Sequence, residues 1–110
     1  MYAIDEGLKR INDEIVTTYE REVAELETKL SVEAGTTGYK GTPDRRAGGR
    51  TYLRVKCENG DFHFEPVTDA AGTVVGIEIA ACGDAGLNAV MKALSFAEQV
   101  INDQRCDVDD

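Results

Sequence analysis

The first third of the chain carries apolar side chains at the spacing of an α-helix. Charged residues occupy most of the positions between them, and Glu25 and Lys29 form an i,i+4 pair in the favoured order. Gly35 follows at a position that suits the residue just past a helix end. The pattern predicts one helix over residues 4–33. Its apolar stripe, with spacings of 4, 3, 4, 4, 4, 3 and 4 residues, consists of Ile4, Leu8, Ile11, Ile15, Tyr19, Val23, Leu26 and Leu30.

A helix of this length is too long for one small domain. Thirty helical residues span about 45 Å, whereas a compact chain of this size has a radius of gyration of about 13 Å. The overhanging apolar stripe needs a cover, which predicts a homo-oligomer that associates through the N-terminal helix. The alternative is a helix that bends or breaks near Thr17-Thr18 and packs both halves on its own sheet.

Residues 51–80 predict a three-stranded antiparallel β-meander. Asn59-Gly60 is the strongest two-residue hairpin signal, and a second turn is expected at residues 69–72. One face of the resulting sheet is apolar and the other is polar. The pairs that follow from the two turns are Val55 with Phe64, Cys57 with Phe62, Lys56 with His63, Arg54 with Glu65, Ile77 with Phe64, Ile79 with Phe62, and Glu78 with His63.

The last part of the chain predicts a second helix over residues 84–103, with Asp84 as its N-cap. Residues 104–110 are expected to form an acidic tail. The predicted order is αβββα, an α+β fold in a single domain over residues 1–110. The helix face expected to cover the apolar face of the sheet consists of Leu87, Val90, Met91, Leu94 and Ile101.

The chain has a formal charge of −9, yet six of its twelve basic residues lie between residues 36 and 56. The glycine-rich loop 34–50 contains several of them. Glycines let backbone N–H groups approach an anion, arginines grip phosphates, and tyrosine rings can stack on bases. The segment therefore predicts a site for a phosphorylated nucleotide, a cyclic dinucleotide or a short nucleic acid. The expected ligand-binding residues are Tyr39, Lys40, Arg45, Arg46, Arg50, Thr51, Tyr52, Arg54, Lys56 and His63.

A second interpretation of the basic segment is structural: a solvated loop whose cations neutralise acidic helices of its own oligomer. Neither interpretation involves catalysis. The sequence has no H-E-x-x-H, G-x-S-x-G or C-x-x-C pattern, and Gly-Tyr-Lys-Gly-Thr at residues 38–42 lacks the G-K-[ST] of a P-loop. We therefore expect no catalytic residues and a protein that is not an enzyme.

His63 and two carboxylates are the remaining candidates for chemistry. His63 is interpreted either as a charge-paired surface residue or as a general base or ligand contact. Glu65 and Glu78 could act as an acid–base pair, but Arg54 and Lys56 are their expected cross-strand partners. With three cysteines far apart and one histidine, neither a metal site nor a cofactor is expected.

The expected compartment follows from two absences. No apolar run approaches 18 residues, and the N-terminus lacks the basic and apolar regions of a signal peptide. These features predict a cytoplasmic protein that does not associate with membranes. The overall negative charge also disfavours non-specific binding to DNA by the whole molecule.

The central segment resembles a motif of small, largely uncharacterised proteins of bacteriophages and mobile elements, notably of gut bacteria. That motif is a T-G-[YW]-[KR]-G turn followed, after a short gap, by G-[GS]-R-T-Y and a strand. Residues 37–41 and 48–52 match it here, and the gap between them reads Thr-Pro-Asp-Arg-Arg-Ala. The likeness in general character extends to the acidic N-terminal helix and the final helix, and so spans most of the chain.

The resemblance implies a setting in which a small phage protein counteracts bacterial immunity, in the host cytoplasm. One class of such proteins consists of oligomeric sponges that sequester nucleotide signals without cleaving them. Another class blocks a host defence protein, sometimes through an acidic surface that mimics DNA. The basic loop favours a sponge, the net charge favours an acidic inhibitor, and a third interpretation is an accessory protein that binds RNA or DNA through Arg54 and Lys56.

Overall fold

The computed structural model describes residues 4–38 and 49–108. This part of the chain contains six β-strands and one α-helix. Strands β1 to β4 form one antiparallel sheet in that order, while β5 and β6 form a separate two-stranded hairpin, which we call the arm. The elements are β1 (Ile4–Ile11), β2 (Glu14–Glu25), β3 (Thr28–Thr36), β4 (Thr51–Asn59), β5 (Phe62–Thr68), β6 (Val74–Ala81) and α1 (Gly83–Val108).

The predicted N-terminal helix is wrong, because residues 4–36 form three antiparallel strands. A spacing of four residues is close to a helical turn, but it is also a multiple of the strand period of two. Ile15, Tyr19 and Val23 therefore lie on one face of β2. The two spacings of three residues lead to Ile11, which ends β1, and to Leu26, which lies in the turn before β3.

Two tight turns connect these three strands. Ile11 pairs with Glu14 across the first turn, and Glu25 pairs with Thr28 across the second. Asn12 and Leu26 begin the two turns with φ angles of 57° and 58°. Asparagine adopts this left-handed conformation readily, whereas leucine rarely does, so the first turn has a residue that suits it and the second does not.

Helix α1 covers one face of the four-stranded sheet, over β3 and β2. Its residues in contact with the sheet are mainly small, with Phe96 as the one large ring among them. Small side chains let the helix approach the strands closely, and the buried residues of both layers form one cluster. That cluster consists of Val23, Leu30, Val32, Ala34, Ala89, Ala93, Phe96, Ala97 and Val100.

The C-terminal helix is present, but three of the side chains expected to face the sheet do not. Leu87, Met91 and Leu94 are each more than half exposed to solvent. The helix instead turns its alanines towards β3, because the bulky β-branched and leucine side chains of the strands already fill that layer. Hydrophobic periodicity predicted the helix correctly. Which side of the helix is buried depends instead on the volume available over the sheet.

The predicted three-stranded meander is also wrong, since β4 and β5 belong to different sheets. Asn59 stays in β4, where it pairs with Lys29 and donates a side-chain hydrogen bond of 2.6 Å to the carbonyl of Glu27. A type I′ hairpin needs positive φ at both turn residues, and only Gly60 of the two has it. The contacts of Asn59 thus override the hairpin signal.

Within the arm, the register differs from the prediction by two residues. Phe64 pairs with Ile79, Glu65 with Glu78, and His63 with Ala80. The turn at residues 69–72 forms, with the N–H of Gly72 donating to the carbonyl of Asp69, but a register shift between Val67 and Thr68 moves the strands. A shift of two residues keeps each side chain on its predicted face.

The fold is thus a four-stranded sheet with one covering helix and a two-stranded arm, not αβββα. Residues 4–36 form strands, so the predicted interface through an N-terminal helix is wrong. Oligomerisation itself remains a prediction. In the described part of the chain, no helix combines the length and the apolar character that a membrane span requires.

Candidate functional site

The two ends of the basic segment are held together where β3 leads into it and β4 leads out. The N–H of Thr37 donates to the carbonyl of Arg50 at 3.0 Å, and the N–H of Arg50 donates to the hydroxyl of Thr37 at 2.9 Å. A Cβ on Gly49 would lie 2.1 Å from the carbonyl oxygen of Gly38, so only glycine allows this approach. We call these four residues the loop base.

Four of the predicted ligand-binding residues lie outside the described residues. They are Tyr39, Lys40, Arg45 and Arg46, in the segment 39–48 that the loop base closes. The remaining six are Arg50, Thr51, Tyr52, Arg54, Lys56 and His63, and the structure separates them into four groups.

The first group lies on the sheet face that α1 does not cover, which we call the polar face. Val32 and Ala34 point towards the helix, so their neighbours Ser31 and Glu33 point the other way. Paired residues of antiparallel strands share a face, so the register with β3 shows which residues of the other strands lie on the polar face. Its members are Asp5, Lys9, Val16, Thr18, Glu20, Glu22, Ser31, Glu33, Tyr52, Arg54 and Lys56.

Cationic and aromatic groups line the β4 edge of the polar face. The ammonium of Lys9, from the opposite edge strand, lies 5.3 Å from the centre of the Tyr52 ring. Val16 lies between these two side chains on β2 and is fully buried. Arg54 lies 4.0 Å from a carboxylate oxygen of Glu33, in a pair that keeps the guanidinium about half exposed.

Two further cations adjoin this edge. Lys56 forms an ion pair of 3.3 Å with Glu58, and the two side chains are 55% and 37% exposed. Arg50 lies 3.7 Å from Asp13 in the first turn, and its side chain is mostly buried. These basic groups therefore already form ion pairs with carboxylates. A bound anion would have to displace those carboxylates or bind beside them.

Carboxylates occupy the other half of the polar face. The register places Asp5, Glu20, Glu33 and Arg54 in one row across all four strands. The hydroxyl of Ser31 donates to Glu20 at 2.8 Å, and the hydroxyl of Thr18 donates to Glu33. Both carboxylates accept these hydrogen bonds through a side-chain oxygen. Among the described residues, neither a histidine nor a cysteine lies on this face.

Thr51 and His63 are not part of that face. Thr51 lies on the helix-covered side, where its hydroxyl is 2.9 Å from that of Thr36. His63 lies on the arm, with its Nε2 atom 3.3 Å from Asp61, rather than beside Lys56 and Glu78 as the meander predicted. The ligand set inferred from the sequence is therefore divided: Tyr52, Arg54 and Lys56 share a face, Arg50 adjoins it, and Thr51 and His63 do not.

A small cluster at the base of the arm escaped the sequence analysis. Ligand atoms of Asp61, His63 and Cys82 lie within 4.8 Å of one another, and all three residues are exposed. A hydrogen bond to Asp61, and then the negative charge of that carboxylate, raise the pKa of the Cys82 thiol. The donor types are those that bind Zn²⁺. Only the corrected register of the arm brings Cys82 beside Asp61.

A groove separates α1 from the β1 edge of the sheet, with a volume of about 560 Å³. The guanidinium of Arg21 lies 5.9 Å from the centre of the Phe96 ring, and Tyr19 and Gln99 complete much of the lining. The sequence analysis predicted a helix over residues 4–33, so this groove beside a sheet edge was not expected from it.

Comparisons with known proteins add no family to this geometry. No protein-family model, no curated protein and no solved structure matches the chain. The resemblance of residues 37–52 to phage proteins stays a prediction, and the functional argument depends on the polar face and the loop base.

Proposed function

We propose that this chain is a non-enzymatic, homo-oligomeric protein that binds and sequesters a phosphorylated, nucleotide-type ligand in the cytoplasm. One observation carries the proposal: Arg50, Tyr52, Arg54 and Lys56 alternate along one side of β4 and its approach, starting at the loop base. Alternate residues of a strand are about 7 Å apart. The row thus presents three cations and an aromatic ring along one edge of the polar face.

The charge distribution supports an anionic ligand at this edge. In the sequence, Lys40, Arg45 and Arg46 lie between the two ends of the loop base, so the segment that leads into β4 is basic. Phosphate oxygens would accept charge-assisted hydrogen bonds from arginine and lysine. Exposed ion pairs such as Lys56 with Glu58 contribute only about 0–1 kcal/mol, so a phosphate can displace them at little cost.

Tyr52 supplies a surface for a base. The Lys9 ammonium lies over its ring, a contact of about 0.5–1 kcal/mol at an exposed site. Stacking of a base on an aromatic ring contributes about 1–3 kcal/mol. A base can therefore replace Lys9, and the displaced ammonium remains close enough to contact a phosphate.

The biological setting in this proposal comes from the resemblance to phage proteins. A sponge that sequesters a nucleotide signal needs tight binding and no hydrolysis. The polar face offers hydrogen-bond donors, and the hydroxyls of Thr18 and Ser31 hold two of its carboxylates. This arrangement supports ligand binding rather than bond cleavage.

Native mass spectrometry of the protein purified from cells, followed by calorimetric titration with ATP and with cyclic dinucleotides, tests this function. Lys56→Gln is expected to weaken binding about tenfold, a loss of about 1.4 kcal/mol. Lys92→Gln is a matched control, since both lysines are 55% exposed and paired with a glutamate, but Lys92 lies on α1. Equal effects of the two substitutions, or no binding of any nucleotide, would contradict the proposal.

The carboxylates of the polar face support a second candidate function. We also propose, as the alternative, a protein inhibitor that presents Asp5, Glu20 and Glu22 of the polar face to a basic surface of a host defence protein. Spaced negative charges on a sheet can imitate a nucleic-acid backbone. Pull-downs with Glu22→Lys and Asp5→Lys are expected to lose the partner, and capture that is insensitive to both substitutions excludes this function.

A further inference from the structure

The arm presents an apolar face that the rest of the chain leaves uncovered. On one side of the arm, the residues from both strands are all uncharged: Phe62, Phe64, Pro66, Ile77, Ile79 and Ala81. Phe62 and Phe64 contact the core beside α1, but Ile77 and Ile79 remain 62% and 45% exposed, and Val74 near the tip is 63% exposed. A two-stranded hairpin alone is at best marginally stable in water.

Helix α1 contributes a second uncovered apolar surface next to the arm. Leu87, Met91 and Leu94 recur at i, i+4 and i+7, so they share one side of the helix, and each is 57–59% exposed. The two surfaces meet where Gly86 of α1 packs against Ala81 at the end of β6. We call these two apolar surfaces together the notch.

We propose that a second copy of this chain fills the notch, so that the protein is a two-fold dimer in which each α1 packs between the arm and the helix of the other copy. A two-fold axis brings the same surface of both copies together. Each copy thereby covers the partner's helix stripe with its own arm and its own helix stripe. This inference is independent of the proposed ligand, because none of the residues in the notch belongs to the polar face.

The size of the exposed surface agrees with a dimer interface. Full burial of a large aliphatic side chain removes roughly 60–120 Å² of apolar surface from water. The notch contains Val74, Ile77, Ile79, Leu87, Met91 and Leu94, each about half exposed, which gives roughly 200–400 Å² per copy on the same scale. Interfaces of standard size bury about 800 Å² per partner, somewhat more than half of it apolar, and backbone and rim atoms supply the remainder.

The charge of the chain points to association through this notch rather than through the charged surfaces. Two copies with a charge of −9 each repel one another. The apolar residues of the notch carry no charge, and the charged residues that flank the stripe on the same side of α1 are the acidic Asp84 and Glu98. Glu78 lies on the opposite face of the arm. Salt screens the repulsion between the copies without weakening apolar contacts, so the dimer should become tighter as salt is added.

Sedimentation equilibrium of the full chain over a concentration series tests this proposal. The expected mass is twice that of one chain, with a dissociation constant that falls when NaCl is raised from low to about 0.5 M. Ile77→Lys and Leu94→Lys should each raise the dissociation constant at least tenfold. Both sites are already exposed, so circular dichroism and the denaturation midpoint should show a folded protein.

Two matched controls use exposed residues of the same elements on their other sides. Ala80→Lys introduces the same charge on the opposite face of β6, and Gln99→Lys introduces it on the side of α1 that lies towards Arg21. Both should leave the dimer unchanged. A monomer at all concentrations overturns the proposal, and so does an oligomer that the controls weaken as much as the two notch substitutions, or one that salt dissociates.

Discussion

The side-chain oxygen of Gln104 accepts a 2.8 Å hydrogen bond from the backbone N–H of Thr36, 68 residues earlier in the chain. The amide nitrogen of the same side chain donates to the carbonyl of Thr17 at 2.8 Å. The paired ladder of β2 and β3 ends at Tyr19 and Ala34. Gln104 therefore supplies partners to backbone groups beyond that end, next to the loop base.

Replacement of Gln104 by alanine should lower the free energy of unfolding by about 1–3 kcal/mol, because it leaves two part-buried backbone groups without these partners. Chemical denaturation measures this loss. Gln99→Ala is the control, since Gln99 is exposed on the same helix and its removal should change stability by less than about 0.5 kcal/mol. A similar loss for both variants would contradict the role assigned to Gln104.

Leu30 and Leu26 distinguish the observed strands from a helix. Both belong to the apolar stripe, and a helix would place them on the same face, whereas here Leu30 is fully buried and Leu26 is 89% exposed. Leu30→Ala should lower the free energy of unfolding by about 2–5 kcal/mol. Leu26→Ala should change it by less than about 0.5 kcal/mol. Equal losses in a urea titration would favour the helix.

Leu26 also lies in a backbone conformation that leucine rarely adopts, with a φ of 58°. Asparagine tolerates this conformation better, and the exposed leucine side chain loses little packing on replacement. We expect Leu26→Asn to raise the free energy of unfolding by about 1 kcal/mol. The thermal midpoint should rise accordingly. A lower midpoint would indicate that the turn does not hold a left-handed residue at this position.

Gly35 lies in β3 where a side chain has no room. A Cβ there would lie 2.3 Å from the carbonyl oxygen of Thr17, so Gly35→Ala has to separate β2 from β3 and should lower stability by more than about 2 kcal/mol. Gly76→Ala is the matched control in β6, where the nearest atom would be 3.6 Å away, on Val67. Denaturation midpoints should fall for the first variant and remain close to the original for the second.

The thiol of Cys82 should react slowly with iodoacetamide at pH 8, because Asp61 raises its pKa and lowers the fraction of thiolate. Asp61→Asn removes the carboxylate, so the pKa falls and the midpoint of the rate–pH profile moves to lower pH. A background of Cys57→Ser and Cys106→Ser leaves Cys82 as the reacting thiol. Asp69→Asn, at the far end of the arm, should leave the midpoint unchanged, and an unchanged midpoint for Asp61→Asn would exclude the interaction.

Features that depend on neighbours in the chain could be predicted from the sequence. The C-terminal helix, the three extended segments between residues 51 and 81, the turn at residues 69–72 and the segregation of charge all follow from local composition and periodicity. The same applies to the row of Tyr52, Arg54 and Lys56, because alternation along a strand fixes their common face. The basic segment next to that row was visible in the composition alone.

Features that depend on distant contacts could not be predicted. A stripe with spacings of four residues suits both a helix and a strand, and the pairing of β2 with β3 decides between them. The hairpin signal of Asn59-Gly60 yields to the contacts of Asn59 with Lys29 and Glu27. His63 does not lie at the expected site, because the arm that contains it does not pair with β4.

The sequence by itself determined that residues 51–81 are extended, where the chain turns in the arm, where it is helical at its end, and where its positive charge lies. Only the tertiary structure decided that the N-terminal third is a sheet, which side of α1 is buried, and that the arm stands apart with its apolar face uncovered. The physical reason is that periodicity reports the conformation of neighbouring residues, whereas burial depends on the volume and hydrogen-bond partners that residues far along the chain provide.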